Sequence, residues 1–256
     1  MPGISRQHLR NALEGTRAFI PARNFYRQIF HRHVAREAKA MRRLYRQFFH
    51  SGEIVFDVGA NIGEYAEIFS DLGARVVAVD PNPDCVDSLQ KLAHRRDIEV
   101  ERCAVGDRPG TATMNLCQFS YFATLNNEFL EQTKGSSDYR GVEWQRQVEV
   151  PVVTLDQLAE RHGLPAFVKI DVEGYEDKVV SGMSFRPNSL SFEFSTRSKD
   201  IAFRTLSKLD DYEFNAVAGR SFDLLHSRWM NLDEMTGWLD HYSRTQYGDI
   251  FGRRTA

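Results

Sequence analysis

Residues Ile54 to Ala66, Ile-Val-Phe-Asp-Val-Gly-Ala-Asn-Ile-Gly-Glu-Tyr-Ala, compress a strand, a glycine turn and the start of a helix into one short segment. β-Branched and aromatic residues run from Glu53 to Val58, and Gly59 and Gly63 then permit backbone angles or close approaches that a side chain forbids. Such a turn leaves bare backbone against which a cofactor can lie. Its spacing is Gly-x-x-x-Gly, with Asn61 where a dinucleotide-binding turn has its middle glycine. That departure points away from a nicotinamide cofactor.

The residues that follow repeat the alternation of strand and helix. Glu64 to Leu72 reads as a helix closed by Gly73, Arg75 to Asp80 as a buried parallel strand, and Asp84 to Ala93 as a helix. Ile98 to Val105 predicts a third strand, Gly106 to Gly110 a turn, and Thr111 to Leu116 a short strand. Residues 118–147 carry no regular period and are longer than an ordinary connection, which reads either as a lid or substrate wall or as a flexible excursion with no role in binding. Regularity resumes with a strand over Val148 to Val153, a Thr154-capped helix to His162, and a strand from Ala166 to Asp171. A helix from Tyr175 to Met183, a strand from Leu190 to Phe194 and a helix from Lys199 to Leu209 continue the pattern. Strands near 212–217 and 222–226, joined at Gly219-Arg220, predict an antiparallel edge, and Leu232 to Tyr242 a last helix. The βαβαβ order implies a doubly wound, mostly parallel sheet.

At 256 residues, with 42% hydrophobic and 27% charged residues, the chain suffices for one large α/β domain with a full core. The reading is a domain over 51–256 behind a basic extension over 1–50. Apolar residues at three- and four-residue steps after Pro21 predict an amphipathic helix from about 22 to 50. The net charge of −2 conceals an asymmetry: residues 1–50 hold 11 Lys and Arg against 2 acids, and the remainder 22 against 33. A basic arm beside an acidic body either docks onto it or contacts an anionic surface such as phospholipid, and no nucleic-acid partner is expected. No apolar run has bilayer-spanning length and no secretory signal is evident, so the expected location is cytoplasmic, with membrane-peripheral contact through the arm. Cys85, Cys103 and Cys117 are odd in number and lack metal-ligand spacing, which supports neither a disulfide framework nor a zinc site.

Asp80 ends the second strand about 20 residues beyond the glycine turn, where a carboxylate can accept hydrogen bonds from both hydroxyls of a ribose; Pro81 fixes the turn after it. Asp57 lies inside the loop strand and can orient loop amides or meet a cationic group. Asp107 is placed either to reach an adenine amino group or simply to shape an Asp-Arg-Pro-Gly turn. The strand end Lys169-Ile-Asp-Val-Glu-Gly-Tyr-Glu176 concentrates charge where open α/β sheets place ligands. Lys169, Asp171 and Glu173 alternate toward one side while Ile170 and Val172 pack inward. Trp144, Tyr121 and Phe122 either stack on a sugar face or pack the long loop.

These segments, Phe56-Asp-Val-Gly-Ala-Asn-Ile-Gly63, Val79-Asp-Pro-Asn-Pro83, Ala104-Val-Gly-Asp107 and Lys169 to Glu176, resemble in order the FkbM family of S-adenosylmethionine-dependent methyltransferases. The likeness runs from about Glu53 to Glu193 and implies a class I methyltransferase fold, a Rossmann-like sheet of seven strands with the last antiparallel. It implies methyl transfer to a hydroxyl of a sugar, glycan or glycolipid precursor, or secondary metabolite. The cofactor residues it implies are Asp57, Gly59, Ala60, Asn61, Gly63, Tyr65, Asp80, Pro81, Asn82, Asp107 and Asp171. Asp80 stands where the family often has glutamate, one methylene longer. Methylating an alcohol needs a group that removes its proton; Asp171 is the first candidate, Glu173 and His226 compete, and Lys169 completes the catalytic set. Asp171 and Glu193 could instead hold a magnesium-type cation, although Lys169 can neutralise the same carboxylates. The alternatives are a methyltransferase-fold scaffold that has lost catalysis and works through its basic arm, and, more weakly, a nicotinamide oxidoreductase.

Overall fold

The computed structural model describes residues 35–117, 123–126 and 144–255. The compact unit that carries the sheet runs from Arg42 to Ala256. Its strands and helices, in chain order, are β1 Ile54–Val58, α1 Glu64–Asp71, β2 Arg75–Val79, α2 Pro83–Ala93, β3 Ile98–Glu101, β4 Ala104–Val105, β5 Gly110–Cys117, β6 Ala123–Thr124, β7 Trp144–Val153, α3 Leu155–His162, β8 Phe167–Ile170, α4 Glu176–Ser181, β9 Ser189–Ser195, α5 Lys199–Leu206, β10 Tyr212–Ala218, α6 Leu232–His241 and β11 Tyr247–Arg254. Among the described residues no helix is long and apolar enough to cross a membrane.

Seven strands form the main sheet in the order β10-β11-β9-β8-β1-β2-β3. β1 pairs in parallel with β2 on one side and with β8 on the other, so the chain reverses its direction of travel across the sheet at β1. Only β11 runs antiparallel, between β9 and β10. This is the mostly parallel, seven-stranded sheet expected, with the antiparallel strand second from the edge. Strands covered on both faces read as near-continuous apolar runs, and Val55, Phe56, Val58, Val168, Ile170, Leu190 and Phe192 are all buried. Helix starts follow local chemistry. Asn82 caps α2 through Asp84 N–H with Pro83 in the first turn, and Thr154 and Gln157 form a reciprocal capping box on α3.

Three expectations change. The strand read over 222–226 is absent; the antiparallel partner of β10 is Tyr247–Arg254, and Phe222 has φ of 54°, which ends any extended run. The single strand over 98–105 divides: β3 stays in the main sheet while β4 joins a second, four-stranded sheet of order β4-β7-β5-β6. Ala104, Met114, Leu116, Val150 and Val152 make its small core. The helix expected over 22–50 is seen over 35–45, its earlier part lying outside the described residues.

The end of that helix and the segment after it belong to the core. Tyr45 is fully buried, Phe48 stacks on Phe167 and Phe251 with centroids 5.5 and 5.0 Å away, and Phe49 meets Phe69 edge-on. Ser189 Oγ donates to the Phe48 carbonyl. Arg42 and Arg96 both pair with Asp71, and Arg43 pairs with Asp223, which engages two of the arm's basic residues with the domain itself.

Candidate active site

The glycine turn lies where β1, β2 and β8 meet. Gly59 and Ala60 N–H both donate to the Val79 carbonyl, and Asp171 N–H donates to the Val58 carbonyl. Gly59 has φ of 82°, and a Cβ there would overlap the Asp171 carbonyl oxygen, so two backbones touch at the point where only glycine fits. Gly63 is a glycine for a different reason. Its φ is 91°, and a Cβ would run into Leu89 and Leu92 of α2, so it sets the packing of the turn on that helix.

A cleft of about 270 Å³ opens over this junction. Of the residues expected there from sequence, Gly59, Ala60, Asn61, Tyr65, Asp80, Pro81, Asn82, Asp171 and Glu173 line it. Asp80 is buried, accepting Asn61 N–H on Oδ2 at 2.7 Å and Asn82 N–H on Oδ1 at 2.8 Å. Burial pushes its carboxyl up to about 6, against the opposing pull of those two amides. Each oxygen retains a lone pair for a further donor.

Asp57 and Lys169 are fully buried and are not on the cleft lining. They are register partners on β1 and β8, so both side chains leave the same face of the sheet. Lys169 is fully buried; its Nζ donates to Asp171 Oδ2 at 2.8 Å and sits 4.1 Å from the centre of the Tyr65 ring. Burial opposes its charge, but Asp171, Tyr65, Asp57 and Asp249 outweigh it and raise its pKa. Neither carboxylate oxygen of Asp57 has a hydrogen-bond partner among the described residues, and burial pushes the group up to about 7. Ala66 N–H eases that shift without completing a hydrogen bond.

The loop after β8 and the neighbouring strand β9 gather the acids. Asp171, Glu173 and Glu193 offer oxygens that all lie within 4.8 Å of one another, an arrangement able to take a divalent cation. Glu173 and Glu193 are both raised, first by burial and then by repulsion from Asp171. Glu173 has φ of 55°, and the loop holding it is tied from two sides. Glu176 accepts Val172 and Gly174 N–H. From β6 and the residues just after it, Thr124 Oγ1 donates to the Glu173 carbonyl and Asn126 Nδ2 to the Gly174 carbonyl.

Two expected residues lie elsewhere. His226 runs along the outer edge of β10, its ring edge-on to Trp238 at 5.2 Å, and it is not on the lining. Burial and Arg228 lower its pKa. Asp107 faces the Lys178 ammonium at 3.6 Å and is not on the lining either. Tyr121 and Phe122 fall outside the described residues, and Trp144 begins β7.

Sequence reading missed several lining residues. Cys85, Cys103, Val105, Met114 and Leu125 form an apolar and thiol wall, and Tyr175 and Arg220 complete the rim. Arg220 left one signal, a lone cation just past a strand in an acidic body; Met114 and Leu125 left none.

The chain matches a family model, the methyltransferase FkbM domain, over residues 57–242. It belongs to the FkbM methyltransferase family. Among its relatives, the 31-O-demethyl-FK506 methyltransferase FkbM of Streptomyces tacrolimicus is 30% identical over 156 residues, covering 52% of this chain and 60% of that protein. The hexuronic acid methyltransferase AglP of Haloferax volcanii is 30% identical over 142 residues, covering 55% and 54%. The chain thus spans less than two thirds of either relative. Among solved structures, a TehB-like SAM-dependent methyltransferase from Corynebacterium glutamicum aligns with a TM-score of 0.46 at 9% identity, over 92% of this chain and 100% of that one. The fold assignment of this FkbM-family chain rests on its strand order, not on that superposition.

Proposed function

We propose that this chain is an S-adenosylmethionine-dependent methyltransferase that O-methylates a hydroxyl of a sugar, a glycan or glycolipid precursor, or another secondary metabolite. The observation that carries the reading is the cleft at the reversal point of the sheet, with Asp80 fixed by two amides beside a turn that only glycine can make. Asp80 keeps two acceptor sites for vicinal ribose hydroxyls, and the Cys85, Cys103, Val105, Met114 and Leu125 wall suits a flat purine. When bound, the cofactor supplies an electrophilic methyl on sulfur, to which the acceptor oxygen bonds as the carbon–sulfur bond breaks and the hydroxyl proton leaves for a base.

Lys169 holds one oxygen of Asp171, which leaves the other free to orient the acceptor hydroxyl. Glu173, raised toward neutrality by burial, is the proton acceptor, since a base acts best when its pKa lies near the working pH. The names of the two relatives, one a 31-O-demethyl-FK506 and the other a hexuronic acid methyltransferase, support an oxygen-bearing metabolite or sugar as acceptor. The basic arm before Ser51 is proposed to contact anionic lipid, with liposome co-sedimentation at low and high salt as its test.

Calorimetry of the full chain with S-adenosylmethionine, S-adenosylhomocysteine and NAD tests the cofactor. The first two are expected to bind and the third not. Binding of NAD alone would overturn the reading.

A further inference from the structure

We infer that Arg220 receives the α-carboxylate of the cofactor's amino-acid end, an inference that rests on the S-adenosylmethionine assignment above. The first argument is charge. Among the described residues lining the cleft, Arg220 is the one basic side chain, set against Glu64, Asp80, Asp171 and Glu173. The amino-acid end of the cofactor is a zwitterion. Its ammonium suits such a lining, but its carboxylate is repelled from every part of it except the neighbourhood of Arg220.

The second argument is position. Strand order puts β2, and hence Asp80, on one side of β1, and puts β8, β9, β11 and β10 on the other. Arg220 follows β10 through Gly219, whose φ of 52° turns the chain back toward the cleft. A cofactor with its ribose on Asp80 therefore extends across the glycine turn toward the side from which Arg220 reaches in. The guanidinium meets Glu64, the first residue of α1 after that turn, at 2.7 Å. Its charge also acts on Asp249 and Tyr65.

The third argument is that this contact can be shared. Arg220 and Glu64 are 37% and 48% exposed, and a pair so wetted is weakly held. A guanidinium has five donors in a planar fork, and a cleft carboxylate can join or displace a partner held this weakly. Glu64 then aims the fork and keeps it from swinging to the acids of the β8 loop.

Titration calorimetry on the full chain with two ligands tests this. S-adenosylhomocysteine carries the amino-acid end; 5′-methylthioadenosine has the same nucleoside and thioether without it. Arg220→Gln is expected to weaken S-adenosylhomocysteine about ten- to hundredfold, the range for a lost charge-assisted hydrogen bond, and to leave 5′-methylthioadenosine unchanged. Glu64→Gln, which takes away the group that aims the fork, is expected to weaken S-adenosylhomocysteine by less than Arg220→Gln does and to leave 5′-methylthioadenosine unchanged. Equal loss for both ligands in Arg220→Gln, no loss for either, or a Glu64→Gln variant that loses as much would overturn the assignment. If the unmodified chain binds neither ligand, the cofactor reading falls and this inference with it.

Discussion

Replacing Asp57 with Asn removes a buried charge and little else. The side chain is fully buried, no hydrogen bond reaches either oxygen among the described residues, and Lys169 offsets only part of the burial cost. The carboxyl is therefore raised from its ordinary 3.8 to about 7. Because the folded state holds this proton more tightly than the unfolded chain, its contribution is fully present below about pH 3.8 and is lost as pH rises through about 7. At about 1.4 kcal/mol per pKa unit, the whole loss is about 4 kcal/mol, of which about 3 falls between pH 5 and pH 8. Asn keeps the shape and cannot ionise. The stability gap between Asp57→Asn and the parent should then move by about 3 kcal/mol in favour of the variant over that interval. Urea unfolding followed by tryptophan fluorescence at both pH values measures it. Parallel shifts of the two proteins would refute the reasoning, because Asp57 would then be ionised throughout and fully compensated by Lys169. A residue that costs stability is found where function needs it, so the same variant should bind S-adenosylhomocysteine more weakly.

Gly59→Ala must push the Asp171 backbone aside as well as hold a left-handed angle, so it should cost more than the roughly 1–2 kcal/mol of the angle alone and abolish S-adenosylhomocysteine binding; a stable, ligand-binding variant would show that β1 and β8 can part. A chain starting at Ser51 loses the buried Tyr45, Phe48 and Phe49. At about 3–5 kcal/mol for a buried aromatic, that exceeds the margin of most domains, and no cooperative unfolding transition should remain in circular dichroism. Once an acceptor is in hand, the rate should rise with pH along a limb set above the ordinary glutamate range by Glu173, and Glu173→Gln should remove that limb. Chelation with EDTA should leave the rate unchanged; a loss restored by magnesium would reassign Asp171, Glu173 and Glu193 as metal ligands.

The parts of the fold and site legible in the sequence are those encoded within a few residues. The turn at Gly59 and Gly63 follows an apolar strand directly and opens a helix, and Asp80 closes the next strand, so their places in the cleft follow from local order. The Glu64 and Arg220 contact joins residues 156 positions apart, and nothing near either one announces the other. β4 and β6 have two residues each, too short to show any period. β11 was hidden by its glycines, which weaken a strand signal and mark close approach. At Gly248 a Cβ would overlap the Val217 carbonyl oxygen and press on the Phe194 ring, so the residue that made the segment look unlike a strand is the one its neighbours require. Phe222 is the opposite case: the apolar run it opens has the pattern of a strand, but its own backbone takes a left-handed angle. His226 is a candidate base by residue type alone and sits against Trp238, a distinction that composition cannot make.

The two hydrogen bonds from Thr124 and Asn126 to the carbonyls of Glu173 and Gly174 bear on how this scaffold could be re-engineered. They make the short stretch 123–126 a hinge pin between the second sheet and the acid-bearing loop. Any graft that replaces the chain between β5 and β7 therefore also resets the geometry of Glu173, unless the splice leaves those two residues untouched. Chimeras that keep residues 123–126 should retain methyl transfer, and chimeras cut through them should lose it.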